Sequence, residues 1–166
     1  MTSLTRADWE QRAKTLKIEG RAFIHGEYCA AVSGATFECL SPVDGRLLGQ
    51  VASCDLALLE TLDMGKPISD SLNIDLSSAA GAIRWSGEAI DKIYDEVAAT
   101  PHDQLGLVTR EPIGVVAAIV PWNFPLLMSC WKLGPALSTG NSVILKPSEK
   151  SPLTAIRLAQ LAIEAG

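Results

Sequence analysis

Two short apolar runs separated by a helix-length segment leave residues 115–149 little choice of fold. The first run, 115–120, stops at Pro121-Trp122-Asn123-Phe124-Pro125, and the second, 142–145, stops at Lys146-Pro147-Ser148-Glu149. Each run is short, rich in β-branched residues and bounded by turn formers, which predicts a buried strand. Between them Leu126, Leu127, Trp131, Leu133 and Leu137 are spaced as the apolar anchors of a helix. The stretch therefore reads as a β-α-β unit of an α/β fold. Polar residues sit at the carboxyl ends of both strands, the edge where open α/β sheets bind ligands.

The remainder of the chain narrows the class further. With 166 residues there is room for one domain and a core of its own. Hydrophobic residues make up 48% and the mean hydropathy is +0.20, which argues against disorder. Fourteen Lys and Arg against 19 Asp and Glu give a net charge of −5, and the basic residues do not cluster, so no nucleic acid partner is expected. The opening MTSLTRADWEQRAKTLKIEG lacks the apolar centre of a signal peptide. Apolar stretches fall short of the roughly 20 residues that span a bilayer, so a cytoplasmic protein without membrane contact is expected. Cys29, Cys39, Cys54 and Cys130 form no CxxC pair and read as reduced thiols. His25 and His102 are the only histidines and lie far apart, so no metal site is expected.

Four regions follow one another: 1–55, 56–100, 104–113 and 114–166. The first reads as short strands joined by turns. Ala22-Phe23-Ile24 and Glu27-Tyr28-Cys29 flank His25-Gly26 as a hairpin would, and Phe37 and Cys39 share one face of a candidate strand at 36–39. Residues 46–51 follow the Pro42-Val43-Asp44-Gly45 turn as another strand. In the second region, 56–63 reads as a short helix ended by Gly65 and Pro67. Leu76, Ala79, Ala80, Ile83, Ile90, Ile93, Tyr94 and Val97 then keep helical spacing, with Asp75 placed as the N-cap and Gly81 and Gly87 as weak points. Residues 104–110 put Leu105, Leu107 and Thr109 on one face of a half-exposed strand. In the last region Asn123 stands where an N-cap is expected, with Pro125 in the first turn. Ser151-Pro152 repeats that start signal, and Gly166 suits the position past a last helical turn.

The motifs PWNFPL, WKLGPAL, TGN and KPSE, in this order and spacing within 115–149, resemble the NAD(P)-dependent aldehyde dehydrogenase superfamily. LALLETLDMGKPI at 56–68, REPIGVV at 110–116 and SPLTAIRLAQLAIEAG at 151–166 are similar as well. Within the superfamily the wording is most similar to γ-glutamyl-γ-aminobutyraldehyde dehydrogenases of polyamine catabolism. The resemblance implies a partial Rossmann-like nucleotide-binding domain behind an N-terminal strand-rich segment. It also implies NAD as cofactor, oxidation of an aldehyde to a carboxylic acid, and a homo-oligomer in the full-length form, with 104–110 pairing subunits. An ordinary edge strand is the other reading of that segment.

By the same resemblance Asn123 is the catalytic residue. A cysteine thiolate adding to an aldehyde creates an oxyanion that needs a donor, and a side-chain amide at a helix N-terminus can supply it. Losing such a donor costs about 3 kcal/mol of barrier. Capping the helix is the structural alternative, and both roles can hold together. Lys146 and Glu149, with Ser148 between them, form the cofactor-binding group: an ammonium and a carboxylate can bond vicinal ribose hydroxyls, and Glu149 would repel a 2′-phosphate, favouring NAD. The alternative is a solvated loop with ordinary surface charges. Ile119, Val120, Pro121 and Trp122 resemble the family's cofactor-facing wall, and Phe124, Met128 and Trp131 its aldehyde tunnel, although aromatics and Met at helical spacing also suit a core. Lys132 matches a lysine near a proton-exit route, or is simply an exposed helical lysine. Cys130 lies within a helix, without the GQxC-like setting of the family nucleophile, and reads as a buried small hydrophobe.

The resemblance covers about a third of the family's usual length. The segments bearing the nucleophilic cysteine, the general-base glutamate in its ELGG-like setting and the later arm strands have no counterpart here. Cys54-Asp55 also runs directly into Leu56, without the amphipathic helices the family places there. A partial sequence or interrupted gene product accounts for both gaps. The expectations are that this chain alone does not oxidise aldehydes and that apolar surface is left uncovered, with marginal stability and association as consequences. Two other readings stand beside an inherited dehydrogenase: a non-catalytic interaction module that joins full-length subunits, and a free-standing nucleotide binder.

Overall fold

The computed structural model describes residues 5–18, 21–24, 27–29, 51–52 and 56–165. The first elements in chain order are α1 (Arg6–Thr15), β1 (Lys17–Ile18), β2 (Ala22–Ile24), β3 (Glu27–Cys29), β4 (Val51–Ala52) and α2 (Leu56–Met64). A helical path follows through α3 (Ile68–Asp70), a π turn (Ser71–Asp75), α4 (Leu76–Ala89) and a 3-10 turn (Ile90–Lys92). The chain continues with β5 (Glu96–Ala98), β6 (Gly106–Val108), β7 (Val115–Ile119), α5 (Pro125–Ser138), β8 (Ser142–Lys146) and α6 (Leu153–Ala165).

The β-α-β unit forms as the apolar spacing requires. β7 and β8 run parallel from Val115↔Ser142 to Ile119↔Lys146, and α5 makes the crossover between them. The Val120 N–H donates to the Lys146 carbonyl at 3.1 Å, extending the pairing one residue past β7. The Thr139-Gly140-Asn141 turn closes the unit. Gly140 takes φ +79°, the left-handed conformation that ends a helix at little cost only for glycine. The Asn141 Oδ1 accepts the Gly114 N–H at 3.1 Å, its Nδ2 donates to the Ala136 carbonyl at 3.2 Å, and the Ser142 N–H donates to the Gly114 carbonyl at 2.9 Å. The end of α5 is thereby tied to the start of β7. Gly140→Ala would place a Cβ 2.9 Å from the Pro112 Cγ at a positive φ, and is expected to lower stability by about 1 kcal/mol or more in urea denaturation.

The two strands are buried on one face only, which corrects their reading as fully buried. Ala118 is buried, while Val115, Ile119 and Ile144 are exposed. The core lies on the helical side, where Leu126 and Cys130 of α5 meet Ala79 of α4, with Leu56, Leu76, Ala82, Leu127 and Leu158 packed around them. α4 and α5 are in tight contact where Gly134 faces Ser86: a Cβ on Gly134 would stand 2.5 Å from the Ser86 Oγ.

Other expectations are met or corrected by local physics. The β2–β3 hairpin pairs antiparallel, Ala22 with Cys29 and Ile24 with Glu27. α2 ends at Gly65, which has φ +80°. α1 replaces part of the strand-rich reading of 1–55. It rests on a capping box in which the Thr5 N–H donates to the Asp8 Oδ2 at 2.8 Å and the Asp8 N–H donates to the Thr5 Oγ1 at 3.3 Å. Val51 and Ala52 pair antiparallel with Ile18 and Lys17; the 36–39 strand and most of 46–51 lie outside the described residues.

The long helix begins at Leu76, where its apolar stripe does, but it is not capped there by Asp75 and it ends earlier than the stripe suggests. Asp75 is no N-cap: it has helical φ −68° and ψ −50°, and its carboxylate pairs with Lys66. At the other end Ile93 turns extended, φ −100° and ψ 100°, so Tyr94 and Val97 are not helical, and 96–98 is a strand within the region read as helices. Arg110 holds this departure in place. Its N–H donates to the Asp95 Oδ1 at 3.0 Å, its Nη2 to the Glu96 Oε1 at 2.6 Å, and its Nη1 to the Tyr94 carbonyl. β5 and β6 pair antiparallel as a hairpin. Leu105, Leu107 and Val108 are all exposed, so the strand at 104–110 is uncovered on both faces rather than half-exposed. Among the described residues no helix is long and apolar enough to cross a membrane.

Candidate functional site

The two βα loops converge at the carboxyl edge of β7 and β8. In the first, Pro121, Trp122, Asn123 and Phe124 are exposed, whereas Val120 is buried. Asn123 is not the N-cap. Pro125 occupies the first helical position, and Phe124, at φ −140° and ψ 60°, is the capping residue without a side-chain cap bond. A proline disfavours helical backbone in the residue before it, which pushes the boundary one position past the asparagine. The Asn123 amide makes no hydrogen bond among the described residues and stands open to a ligand.

In the second loop Lys146 ends β8 and Glu149 follows, with the Lys146 Nζ 3.4 Å from the Glu149 Oε2 and both side chains largely exposed. A backbone hydrogen bond within the Glu149 residue itself, followed by the Lys146 ammonium, lowers the Glu149 carboxyl below its ordinary value, so it is charged at neutral pH. The Ser148 Oγ accepts the Lys150 N–H at 3.2 Å, and its carbonyl accepts the Ser151 N–H at 3.2 Å. Ser148 therefore shapes the turn. The Ser151 Oγ donates to the Trp122 carbonyl at 3.1 Å, joining the two loops.

Phe124, Met128 and Trp131 follow at helical spacing down one side of α5. Phe124 and Trp131 are exposed and Met128 half-buried. Lys132 is exposed on the same helix. Cys130 is buried, and burial followed by the nearby Glu60 charge pushes its thiol up to about 11. A nucleophile needs the thiolate, so Cys130 does not serve as one. Among the described residues no group of three His, Cys, Asp or Glu could hold a metal ion.

Sequence reasoning missed the layer beneath these loops. α2 carries Glu60 and Asp63 one turn apart, both buried. The Leu126 N–H at the start of α5 donates to the Glu60 Oε2 at 3.3 Å, and the Leu153 N–H at the start of α6 donates to the Asp63 Oδ2 at 2.8 Å. The Lys66 Nζ lies 3.6 Å from the Glu60 Oε1, pairs with the Asp75 Oδ2, and sits 4.2 Å above the Phe124 ring centroid. The Glu60 Oε1 accepts no hydrogen bond. Burial raises the Glu60 carboxyl to about 7, with Asp75 adding to the rise and Lys66 and the Leu126 N–H opposing it. Only the spacing of two acids and a lysine in ETLDMGK hinted at this cluster.

Its titration has a sign. Glu60 binds its proton more strongly in the fold than at its ordinary value of 4.5, so its favourable contribution is complete below about 4.5 and is lost as pH rises through about 7. Urea denaturation at successive pH values is expected to show wild-type stability falling across that window relative to Glu60→Gln, whose amide does not titrate.

A parallel β-α-β unit with an open amide, an ammonium and a carboxylate at its carboxyl edge defines a Rossmann-like α/β protein. Residues 45–166 match the aldehyde dehydrogenase family, and the chain belongs to that family. It is 49% identical to the NADP/NAD-dependent aldehyde dehydrogenase PuuC of Escherichia coli (strain K12), across 96% of this chain and 41% of that protein. The indole-3-acetaldehyde dehydrogenase AldA of P. syringae, solved as a variant with NAD+ and IAA, is 66% identical with a TM-score of 0.94, across 99% of this chain and 42% of that one. A γ-glutamyl-γ-aminobutyraldehyde dehydrogenase from Burkholderia cenocepacia is 50% identical with a TM-score of 0.93, across 98% and 42%. The chain thus spans about two fifths of the length of these relatives. The match to the E. coli protein extends over 205 aligned positions against 166 residues in this whole chain, so at least 39 of them (205 less 166) have no counterpart here.

Proposed function

We propose that this chain provides the oxyanion-binding and ribose-binding portion of an NAD-dependent dehydrogenase that converts an aldehyde to a carboxylic acid. One observation carries the reading: the open Asn123 amide and the Lys146–Glu149 pair lie in the two loops that follow the carboxyl ends of adjacent parallel strands. An ammonium donor and a carboxylate acceptor 3.4 Å apart fit the two hydroxyls of a vicinal diol such as the adenosine ribose of NAD. When bound, NAD supplies the hydride acceptor. Asn123 donates its side-chain N–H to the oxygen that becomes anionic when a thiolate adds to the aldehyde, and Phe124, Met128 and Trp131 line the approach. Cys130, buried with its thiol pushed up to about 11, is not that thiolate. The 166-residue chain by itself is expected to turn over no aldehyde. Similarity to the γ-glutamyl-γ-aminobutyraldehyde enzyme supports an aldehyde of polyamine catabolism as the substrate.

The test is a calorimetric NAD titration of the purified chain. Weak binding is expected, reduced about tenfold in Glu149→Ala through loss of a charge-assisted hydrogen-bond partner, and NADP is expected to bind more weakly than NAD. Binding untouched by the substitution would remove the ribose role of Glu149, and NADH formation from aldehydes by the chain alone would overturn its inactivity. The exposed Leu105, Leu107, Ile119 and Ile144 favour a second reading, a non-catalytic module that joins intact subunits. Co-purification with a full-length dehydrogenase supports it, and a monodisperse monomer counts against it.

A further inference from the structure

The two helices that begin at the candidate site are capped from elsewhere. Phe124 and Pro152, the residues directly before the two helices, carry no side-chain acceptor. The orphan N–H groups at the helix starts are met by Glu60 and Asp63, three residues apart on α2 and both buried. A carboxylate at a helix N-terminus satisfies a donor and interacts favourably with the helix dipole. Here the same short helix does so for two neighbours at once. The Leu126 bond lies three residues from Asn123, and the Leu153 bond four residues from Glu149. Lys66 ties the arrangement to the loop itself by covering the Phe124 ring.

We propose that Glu60 and Asp63 are positioning residues, which fix the Asn123 loop and the Lys146–Glu149 loop relative to each other through paired caps on α5 and α6. The proposal rests on the reading of Asn123 and Glu149 given above, but its consequences can be measured without cofactor or turnover. Rigid α2 makes the distance between its two carboxylates a ruler for the distance between the loops. Groups that face Glu60 are Lys66 from the loop after α2, Asp75 from the π turn and the Cys130 thiol from α5; α6 presents the neutral Thr154 nearby. Glu60 titrates near neutrality, which gives the cap on α5 a signature that packing alone lacks.

The test is nitrogen-15 NMR of the whole chain with amide hydrogen exchange. In Glu60→Ala, exchange at Leu126 is expected to accelerate about tenfold, with shifts concentrated at Trp122, Asn123 and the Asn123 side-chain amide. In Asp63→Ala the same is expected at Leu153 and at residues 146–149. Glu60→Gln and Asp63→Asn, which keep an acceptor oxygen, should restore most of the protection. In wild type the Leu126 and Asn123 signals should move together with a midpoint near 7, and in Glu60→Gln that movement should vanish. Unchanged Leu126 protection in a folded Glu60→Ala chain overturns the proposal. If that variant unfolds, wild-type Asn123 signals that stay fixed between about pH 5 and 8.5 overturn it equally. Intact clamp signatures without an NAD response would sink only the ribose reading, and an NAD response without them only the clamp.

Discussion

Lys66→Ala is expected to destabilise the protein by about 3–5 kcal/mol, the range for stripping the partner from a buried charge. The lysine is one tenth exposed and serves two carboxylates, Glu60 and Asp75, that are essentially inaccessible to water. Without it two acids face each other in a low-dielectric setting, and the Phe124 ring loses the cation above it. Against a typical domain stability of about 5–15 kcal/mol, that loss would leave a chain on the verge of unfolding. The penalty should shrink as pH falls, because protonation neutralises the stranded Glu60 carboxylate, and Lys66→Met, which restores only the aliphatic stem, should rescue little. Urea midpoints at about pH 8 and pH 5 check both points. A loss that is small and independent of pH would show that water, and not Lys66, compensates these acids.

Gly134→Ala should cost about 1–3 kcal/mol, the usual range for forcing volume into a packed contact. Its new Cβ would meet the Ser86 Oγ at 2.5 Å, the Ser86 Cβ at 3.1 Å and the Ala82 carbonyl at 3.3 Å. The serine hydroxyl has little room to retreat, since it already donates to that carbonyl at 2.8 Å. On an exposed helix the same substitution would stabilise by relieving backbone entropy, so the sign of the change reports the contact. Pairing Gly134→Ala with Ser86→Gly in a double-mutant cycle should recover part of the loss. An additive cycle would mean that α4 and α5 separate freely.

What could be read in the sequence was local. Short β-branched runs, the turn residues that bound them and the helical spacing between them disclosed the β-α-β unit, because strand length and crossover are encoded within 35 residues. α1 was readable too, in the spacing of Thr5 and Asp8, but that polar helix has no apolar stripe to announce it. Asn123 and Asp75 were misplaced as caps for a shared reason. Each has the right chemistry, but the surrounding chain decides: Pro125 moves the first boundary, and Asp75 lies within a helical path already under way from Ile68, its carboxylate paired with Lys66. The caps supplied by Glu60 and Asp63 were beyond reach, since their partners lie 66 and 90 residues away. No periodicity carries information over such a separation.

The one-sided burial of β7 and β8 has a colloidal consequence. Among the described residues each strand has a single neighbour, so one row of backbone donors and acceptors on each is available as a template for another extended chain. Val115, Ile119 and Ile144 make the adjoining face sticky. Whether a solution of this protein stays clear then depends less on its folding free energy than on what crowds that surface, and lysine placed along the outer edge is the change that would keep it dispersed.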